Sequence, residues 1–181
     1  MTPGAASISP APTRLSLAGL APDVPLHLAT IFGTDQGGLR LSGAFLAEGK
    51  RLRQPCFLVA AGNDLRRYER ALGSLDGIEV VHFEGGTTGA AIAHWEDRFA
   101  EAVANGATLI RVVGEMASER TMFGNEEEML RYEEAFEVMC RRYPVAVLCQ
   151  YDARQFDGVA LLRALKAHPD LFGLRLGSFL L

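Results

Sequence analysis

The stretch VAVLCQYDARQF, residues 145–156, opens with five apolar residues and ends in Gln150, Tyr151, Asp152 and Arg154. A continuous apolar run, unlike an alternating one, marks a strand buried on both faces, as strands of parallel sheets are. Polar groups at the end of such a strand have a reason to be there. In open parallel sheets the ligand crevice lies outside the carboxyl ends of the strands. This segment therefore predicts a fold class and a place for function together.

The pattern extends in both directions along the chain. LHLATIF (26–32), CFLVAAG (56–62), IEVVHF (78–83), TLIRVVGEM (108–116) and LFGLRLG (171–177) read as further strands. Segments of helical period separate them. In NEEEMLRYEEAFEVMCRRYP, Asn125 is the expected N-cap, Glu128 its capping-box partner and Pro144 the terminator. Met129, Tyr132, Phe136, Met139, Cys140 and Tyr143 form its apolar face. In TTGAAIAHWEDRFAEAVANG the expected stripe is Ile92, Trp95, Phe99 and Val103, closed near Gly106. These aromatic residues, like Met116, Met122 and Phe123, read as core packing. Strand and helix alternate, which predicts a three-layer α/β/α sandwich with a mostly parallel sheet.

Length and composition bound the rest. A chain of 181 residues with 49% hydrophobic content fits one well-buried domain, expected over 23–181. The first 22 residues hold one Arg and four prolines without a sustained apolar stretch. They read as a disordered tail, neither signal peptide nor membrane anchor. The net charge is −4 and the basic residues are scattered, so direct contact with nucleic acid is not expected. Cys56, Cys140 and Cys149 form no CxxC and lie in or beside apolar runs, which predicts reduced thiols and a cytoplasmic location.

Polar residues collect where the predicted strands end, in GTDQGG (33–38), AGND (61–64), EGG (84–86), GEM (114–116) and QYDAR (150–154). Asp35, Asn63, Glu115, Gln150, Tyr151 and Asp152 are thus expected to converge on one crevice. GTDQGGLR has the glycine spacing of a phosphate loop, but Leu39 and Arg40 stand at the positions of its Lys and its Ser or Thr. Nucleotide hydrolysis is therefore not expected, and an ordinary strand-to-helix turn is the favoured reading over a retained phosphate nest.

Glu115 reads as a catalytic base, as a ligand contact or, in the favoured reading, as a buried carboxylate paired with an arginine such as Arg111, Arg120 or Arg154. Cys149 reads as a core residue rather than a nucleophile. With period-2 alternation, Gln150 and Asp152 share one face of the sheet and Cys149 and Tyr151 the other. His27 reads as a hydrogen-bonded core residue, and His168 before Pro169 as a helix stop. The two histidines make a metal site only if the ends of the chain meet, and no ligand spacing points to one. The segment SERTMF (118–123), with Gly124, reads as a polar loop and a lid over the sheet edge.

His27, RVVGEM (111–116), LRYEEAF (130–136), LCQYDARQFD (148–157) and HPDLF (168–172) together resemble the MEDS domain. That sensory module is named from methanogens, methylotrophs and a dichloromethane-responsive regulator. The resemblance covers about residues 25–175. It implies a RecA/KaiC-like core without a working phosphate loop, serving in signal input. No helix-turn-helix or transmitter is recognisable, so output is expected through a separate regulatory protein partner.

The expected function is that of a non-enzymatic sensory module binding a small ligand of unknown identity at the carboxyl edge of the sheet. His27, Asp35, Arg111, Glu115, Arg120, Gln150, Tyr151 and Asp152 form the candidate ligand-contacting set. No catalytic residue, metal ligand or cofactor is assigned, no membrane contact is expected, and a homo-oligomer is open. The alternatives are a degenerate nucleotide-binding domain and a ligand-free interaction scaffold. In the scaffold, the strand-edge cluster would be filled by mutually satisfied side chains.

Overall fold

The structure, a computed structural model, describes residues 15, 17, 23–82 and 86–173. Among these residues five strands alternate with helices. They are β1 (Leu26–Phe32), β2 (Cys56–Val59), β3 (Glu79–Val81), β4 (Ile110–Glu115) and β5 (Val145–Asp152). Helices α1 (Asp35–Leu52), α2 (Gly62–Leu72) and α3 (Thr88–Ala104) join the first four strands in turn. A short α4 (Met116–Arg120) and a longer α5 (Glu126–Cys140) precede β5, and α6 (Gly158–Ala167) follows it.

All strand pairs among the described residues are parallel, in the order β1-β5-β4-β2-β3. From β1 the chain steps outward to β2 and β3, then doubles back through β4 to β5. Right-handed crossovers place the outward helices on one face and the returning helices on the other. Accordingly α1 packs with α2, and α5 packs with α3 and α6 on the opposite face. The result is the expected three-layer sandwich.

β1, β2, β4 and β5 are buried almost throughout, matching their continuous apolar runs. β3 exposes Glu79 and Val80, as a short edge strand does. Four of the helices, α1, α3, α5 and α6, start on side-chain caps: Thr34, Thr87, Asn125 and Asp157 each accept an N–H from three residues on. At α5 only half of the expected capping box forms. Asn125 Oδ1 accepts the Glu128 N–H at 2.9 Å, but Glu128 Oε1 turns to Thr88, at 3.0 Å from its N and 2.8 Å from its Oγ1. The carboxylate thus serves the first turn of α3, where backbone N–H groups have no partner within the helix.

Three expectations need correction. The buried stripe of α3 is Ala91, Trp95, Phe99 and Ala102, while Ile92 is only half-buried and Val103 is exposed. Both stripes share the two aromatics, and small alanines let the helix lie close to its neighbours. The segment 118–123 is not a polar loop. Its first residues finish α4, and Ser118, Glu119, Met122 and Phe123 are buried. The apolar run from Leu171 does not begin a strand: Pro169–Gly173 is a 3-10 turn, and the remainder lies outside the described residues. Pro169 drives this, since its ring removes a ladder donor and holds the chain in a turn. Most of the expected tail lies outside the described residues. Its two described members, Leu15 and Leu17, are buried within the core.

α1 approaches the sheet closely at Gly49. A Cβ there would run into Cys56 Sγ and come within 2.7 Å of Arg111 Cδ. The 3-10 turn brings the end of the described chain back to β1, where the His27 N–H donates to Asp170 Oδ2 at 2.8 Å. The two ends of the fold therefore meet.

Candidate functional site

Two polar clusters occupy opposite faces of the sheet, and alternation along β5 separates them. Gln150 and Asp152 face α1 and α2, whereas Cys149 and Tyr151 face α5, the division expected from period 2.

The first cluster lies at the carboxyl edge. Arg154 donates to Asp152 Oδ1 at 2.8 Å, to Asp152 Oδ2 at 2.8 Å and to Asp35 Oδ1 at 2.6 Å, so it ties β5 to the start of α1. Burial pushes the Asp152 carboxyl up, but hydrogen bonds from Arg154 and Gln155 outweigh this and bring it down to about 2. Arg67 of α2 links Asp35 at 3.5 Å, Asp64 at 3.2 Å and Glu115 at 3.1 Å. Ser118 donates to Asp64 Oδ2 at 2.7 Å and accepts the Ala61 N–H at 3.1 Å, which fastens α4 across the edge.

Glu115 is 2% exposed, and burial raises its carboxyl to about 7 against the pull of Tyr68 and Arg67. Tyr68 Oη lies 2.6 Å from Glu115 Oε1 and 2.7 Å from Ser42 Oγ, while Ser42 donates to the Gly38 carbonyl. One phenol proton cannot serve both contacts. When protonated, Glu115 can donate to Tyr68 and complete the chain; when ionised, it accepts from Tyr68 instead.

Some polar atoms at this edge are not served. Gln150 Oε1 and Nε2, Thr30 Oγ1 and Arg67 Nε are buried without a hydrogen-bond partner among the described residues. Thr30 and Glu115 are the neighbours of Gln150 in the two flanking ladders, so these atoms share one patch.

The second cluster lies beneath α5. His27 Nδ1 is 3.0 Å from Glu137 Oε2, and His27 Nε2 is 3.3 Å from Cys149 Sγ and 3.8 Å from Glu133 Oε2. Tyr151 donates to Glu133 Oε2 at 3.1 Å, and His168 Nε2 approaches the same oxygen at 3.1 Å. Burial, with the charge of His168, lowers the His27 pKa, and burial raises the Cys149 thiol well above its ordinary value. Burial opposes charge on Glu133, yet His168 and His27 hold its carboxyl below the usual range. Nearby Glu119 is pushed strongly upward by burial and then by the charge of Glu133. A void of about 10 Å³, room for one water, adjoins Glu119, Glu133 and Cys149 between the walls of Trp95 and Phe136.

The candidate set from sequence is therefore divided. Asp35, Glu115, Gln150 and Asp152 meet at the carboxyl edge. His27 and Tyr151 belong to the cluster under α5. Arg111 lies at the amino end of β4, where Gln54, the Phe45 carbonyl and Glu48 satisfy it at 2.7, 2.9 and 2.6 Å. Arg120 binds the Gln155 carbonyl at 3.0 Å and covers the Phe156 ring. Asn63 stands on the exposed side of α2, bonded to Arg66. The partner of Glu115 is Arg67, not Arg111, Arg120 or Arg154.

Arg67, Tyr68, Glu133 and His168 were missed as site residues, and two signals pointed to them. Asp64, Arg67 and Tyr68 sit at i, i+3 and i+4 just beyond β2, so they share one helix side. Glu133 lies four residues after Met129 and three before Phe136, inside the apolar stripe of α5.

GTDQGG, read as a strand-to-helix turn in preference to a phosphate nest, is such a turn. α1 begins at Asp35, and Thr34 takes the Gly37 N–H with its hydroxyl and the Gly38 N–H with its carbonyl. No helix among the described residues is long and apolar enough to cross a membrane.

Comparison with known proteins bears on this arrangement. The transcriptional repressor DcmR of Methylorubrum extorquens (strain DSM 6343 / CIP 106787 / DM4) is 29% identical over 156 residues. The match covers 81% of this chain and 59% of the repressor, so the chain spans somewhat over half of that relative's length. The profile of MEDS, the MEthanogen/methylotroph, DcmR Sensory domain, matches residues 26–169. That span takes in both clusters, from the start of β1 to the 3-10 turn. The chain belongs to the MEDS family of sensory, regulatory domains.

Proposed function

We propose that the chain is a non-enzymatic sensory module that takes a small polar ligand at the carboxyl edge of the sheet and reports its presence to a regulatory protein partner. The unserved Gln150 amide carries this reading. Leaving both a buried donor and a buried acceptor without partners costs free energy that an occupant can recover. The Thr30 hydroxyl and Arg67 Nε beside it extend the demand. A compact molecule that both donates and accepts hydrogen bonds fits it, and the raised carboxyl of Glu115 supplies a further donor or acceptor according to pH.

The network around the patch offers a route outward. Arg67 is shared by Asp35, Asp64 and Glu115, and Asp35 is also held by Arg154. A ligand that engages Arg67 Nε competes with these pairs and shifts the start of α1 relative to the loop after β5. Both segments reach the surface, where a partner can read them. The kinship with a repressor supports regulation as the output.

Native mass spectrometry of freshly purified protein tests the reading, with and without added ATP and Mg²⁺. A retained small molecule that is lost in Gln150→Leu is the expected result. A protein that carries no such mass, or one whose bound mass persists in Gln150→Leu, speaks against ligand binding at this edge. A mass shift or oligomer produced by ATP would favour the nucleotide-binding alternative.

A further inference from the structure

The cluster beneath α5 has a geometry that the sensory reading does not use. His168 Nδ1 lies 2.6 Å from the Ala164 carbonyl, so this nitrogen carries the proton and donates. His27 Nδ1 likewise faces Glu137 Oε2 at 3.0 Å, and Arg141 Nε holds the other oxygen of that carboxylate at 2.9 Å. Both imidazoles are thereby oriented with Nε2 turned inward. A ring N–H given to a carbonyl or carboxylate, with the opposite nitrogen left as a ligand, is how proteins prepare histidines for a metal.

The inward atoms support the same conclusion. His168 Nε2 is wholly buried and lies 3.1 Å from Glu133 Oε2, but without the alignment of a hydrogen bond. With its proton on Nδ1, His168 turns a lone pair toward that oxygen, and a second proton or a metal ion between the two atoms relieves the repulsion. His27 Nε2, Glu133 Oε2, Cys149 Sγ and His168 Nε2 all lie within 4.8 Å of one another. Three of these separations, 3.1, 3.3 and 3.8 Å, bracket the ~3.3–3.7 Å edges of a tetrahedron built from ordinary zinc–nitrogen, zinc–oxygen and zinc–sulfur bonds.

We propose that His27, Glu133, Cys149 and His168 form a four-ligand site for a divalent ion of the zinc class. Two neutral imidazoles, one carboxylate and one thiolate give the ion two compensating negative charges, which suits a site where all four side chains are buried. On binding, the metal–sulfur bond replaces the Cys149 S–H bond and one proton leaves. Tyr151 then steadies Glu133, as Glu137 and the Ala164 carbonyl steady the two rings. A closed set of four protein ligands is structural rather than catalytic. Here it staples β1, α5, β5 and the end of α6.

A second grouping, His27, Glu137 and Cys140, shares the first histidine. It has three ligands, and Cys140 Sγ already points at the Glu137 carbonyl at 3.3 Å. It is the weaker candidate.

Protein produced in cobalt-supplemented medium tests the site, because cobalt reports both coordination geometry and thiolate ligation in its absorption. The expected result after gel filtration is one cobalt per chain, the strong visible absorption of tetrahedral cobalt and a thiolate-to-cobalt charge-transfer band. That band should vanish in Cys149→Ala and survive in Cys140→Ala. Protein that retains no cobalt, or binds it with a weak octahedral spectrum lacking the band, overturns the proposal. Loss of the band in Cys140→Ala with retention in Cys149→Ala does so equally. If Cys149→Ala fails to fold, the wild-type spectrum and Cys140→Ala decide the matter, and zinc content of protein grown in zinc-supplemented medium provides an independent count.

Discussion

Glu115 binds its proton more tightly in the folded chain than in the unfolded one, because burial raises its carboxyl to about 7. Between the ordinary glutamate value and that point, the folded state holds more protons, so stability falls as pH rises. The full effect is on the order of 3 kcal/mol, present below about pH 4.5 and gone above about pH 7. Glu115→Gln should flatten this part of the curve, as urea unfolding at pH steps from about 5 to 8 will show; an unchanged slope assigns it to another group. Asp152 acts oppositely. Its carboxyl is held down at about 2, so its support is present above the ordinary aspartate value and lost as pH falls toward about 2. Asp152→Asn should remove that acid-side loss and loosen Arg154, visible as faster amide exchange at the start of α1.

The division of these residues between two faces was legible in the alternation of CQYD, and the partners were not. Arg67 and Tyr68 come from a helix whose orientation depends on where the chain places it. Nothing local to RVVGEM tells Glu115 that α2 will supply its counter-charge. His27 and Arg111 raise the same difficulty along the strand axis. Both lie near the amino ends of their strands, and a residue's height becomes readable only once the register with β5 is known.

Among the elements, the strands were clearest, because buried parallel strands cannot hide their apolar runs. Helix caps were nearly as plain. Asn125→Ala should lower stability by ~1 kcal/mol in urea unfolding, since the Glu128 N–H at the start of α5 loses its acceptor. Close approaches between elements were not legible. Gly49→Ala raises helix propensity, yet the added methyl meets Cys56 Sγ and Arg111 Cδ. A net loss of about 1–3 kcal/mol is expected, with the thermal midpoint as readout; a gain would mean that α1 can lift off the sheet without penalty. The segment 118–123 was misread for a related reason. Its Ser, Glu and Thr look like loop composition, but Ser118 and Glu119 find partners only after α4 folds back over the edge.

At the scale of the whole molecule, the domain reaches further toward the start of the chain than composition indicates. Leu15 and Leu17 belong to the core at 1% and 2% exposure, within a stretch whose prolines and alanines read as tail. Leu17→Ala should cost about 2–4 kcal/mol, a core value; a change near zero in chemical denaturation would return this stretch to the tail. The binding proposals also sit at this scale, since each draws on strands far apart in sequence.

The pairing of β1 with β5 has a consequence for how the protein comes into being. Leu26 lies beside Ala146 and Phe32 beside Asp152, so among the described strands the first of this sheet waits for the last before it finds a neighbour. Such distant contacts close late. During synthesis β2, β3 and β4 can assemble on their own helices while β1 remains unpartnered, with apolar residues exposed that a chaperone can hold. Arrival of β5 then joins β1 to the sheet in the same step that brings Asp35 to Arg154 and His27 to Cys149. A product truncated before β5 should therefore lack the Asp35–Arg154 tie and the His27–Cys149 contact, while the Arg67–Glu115 pair can still form.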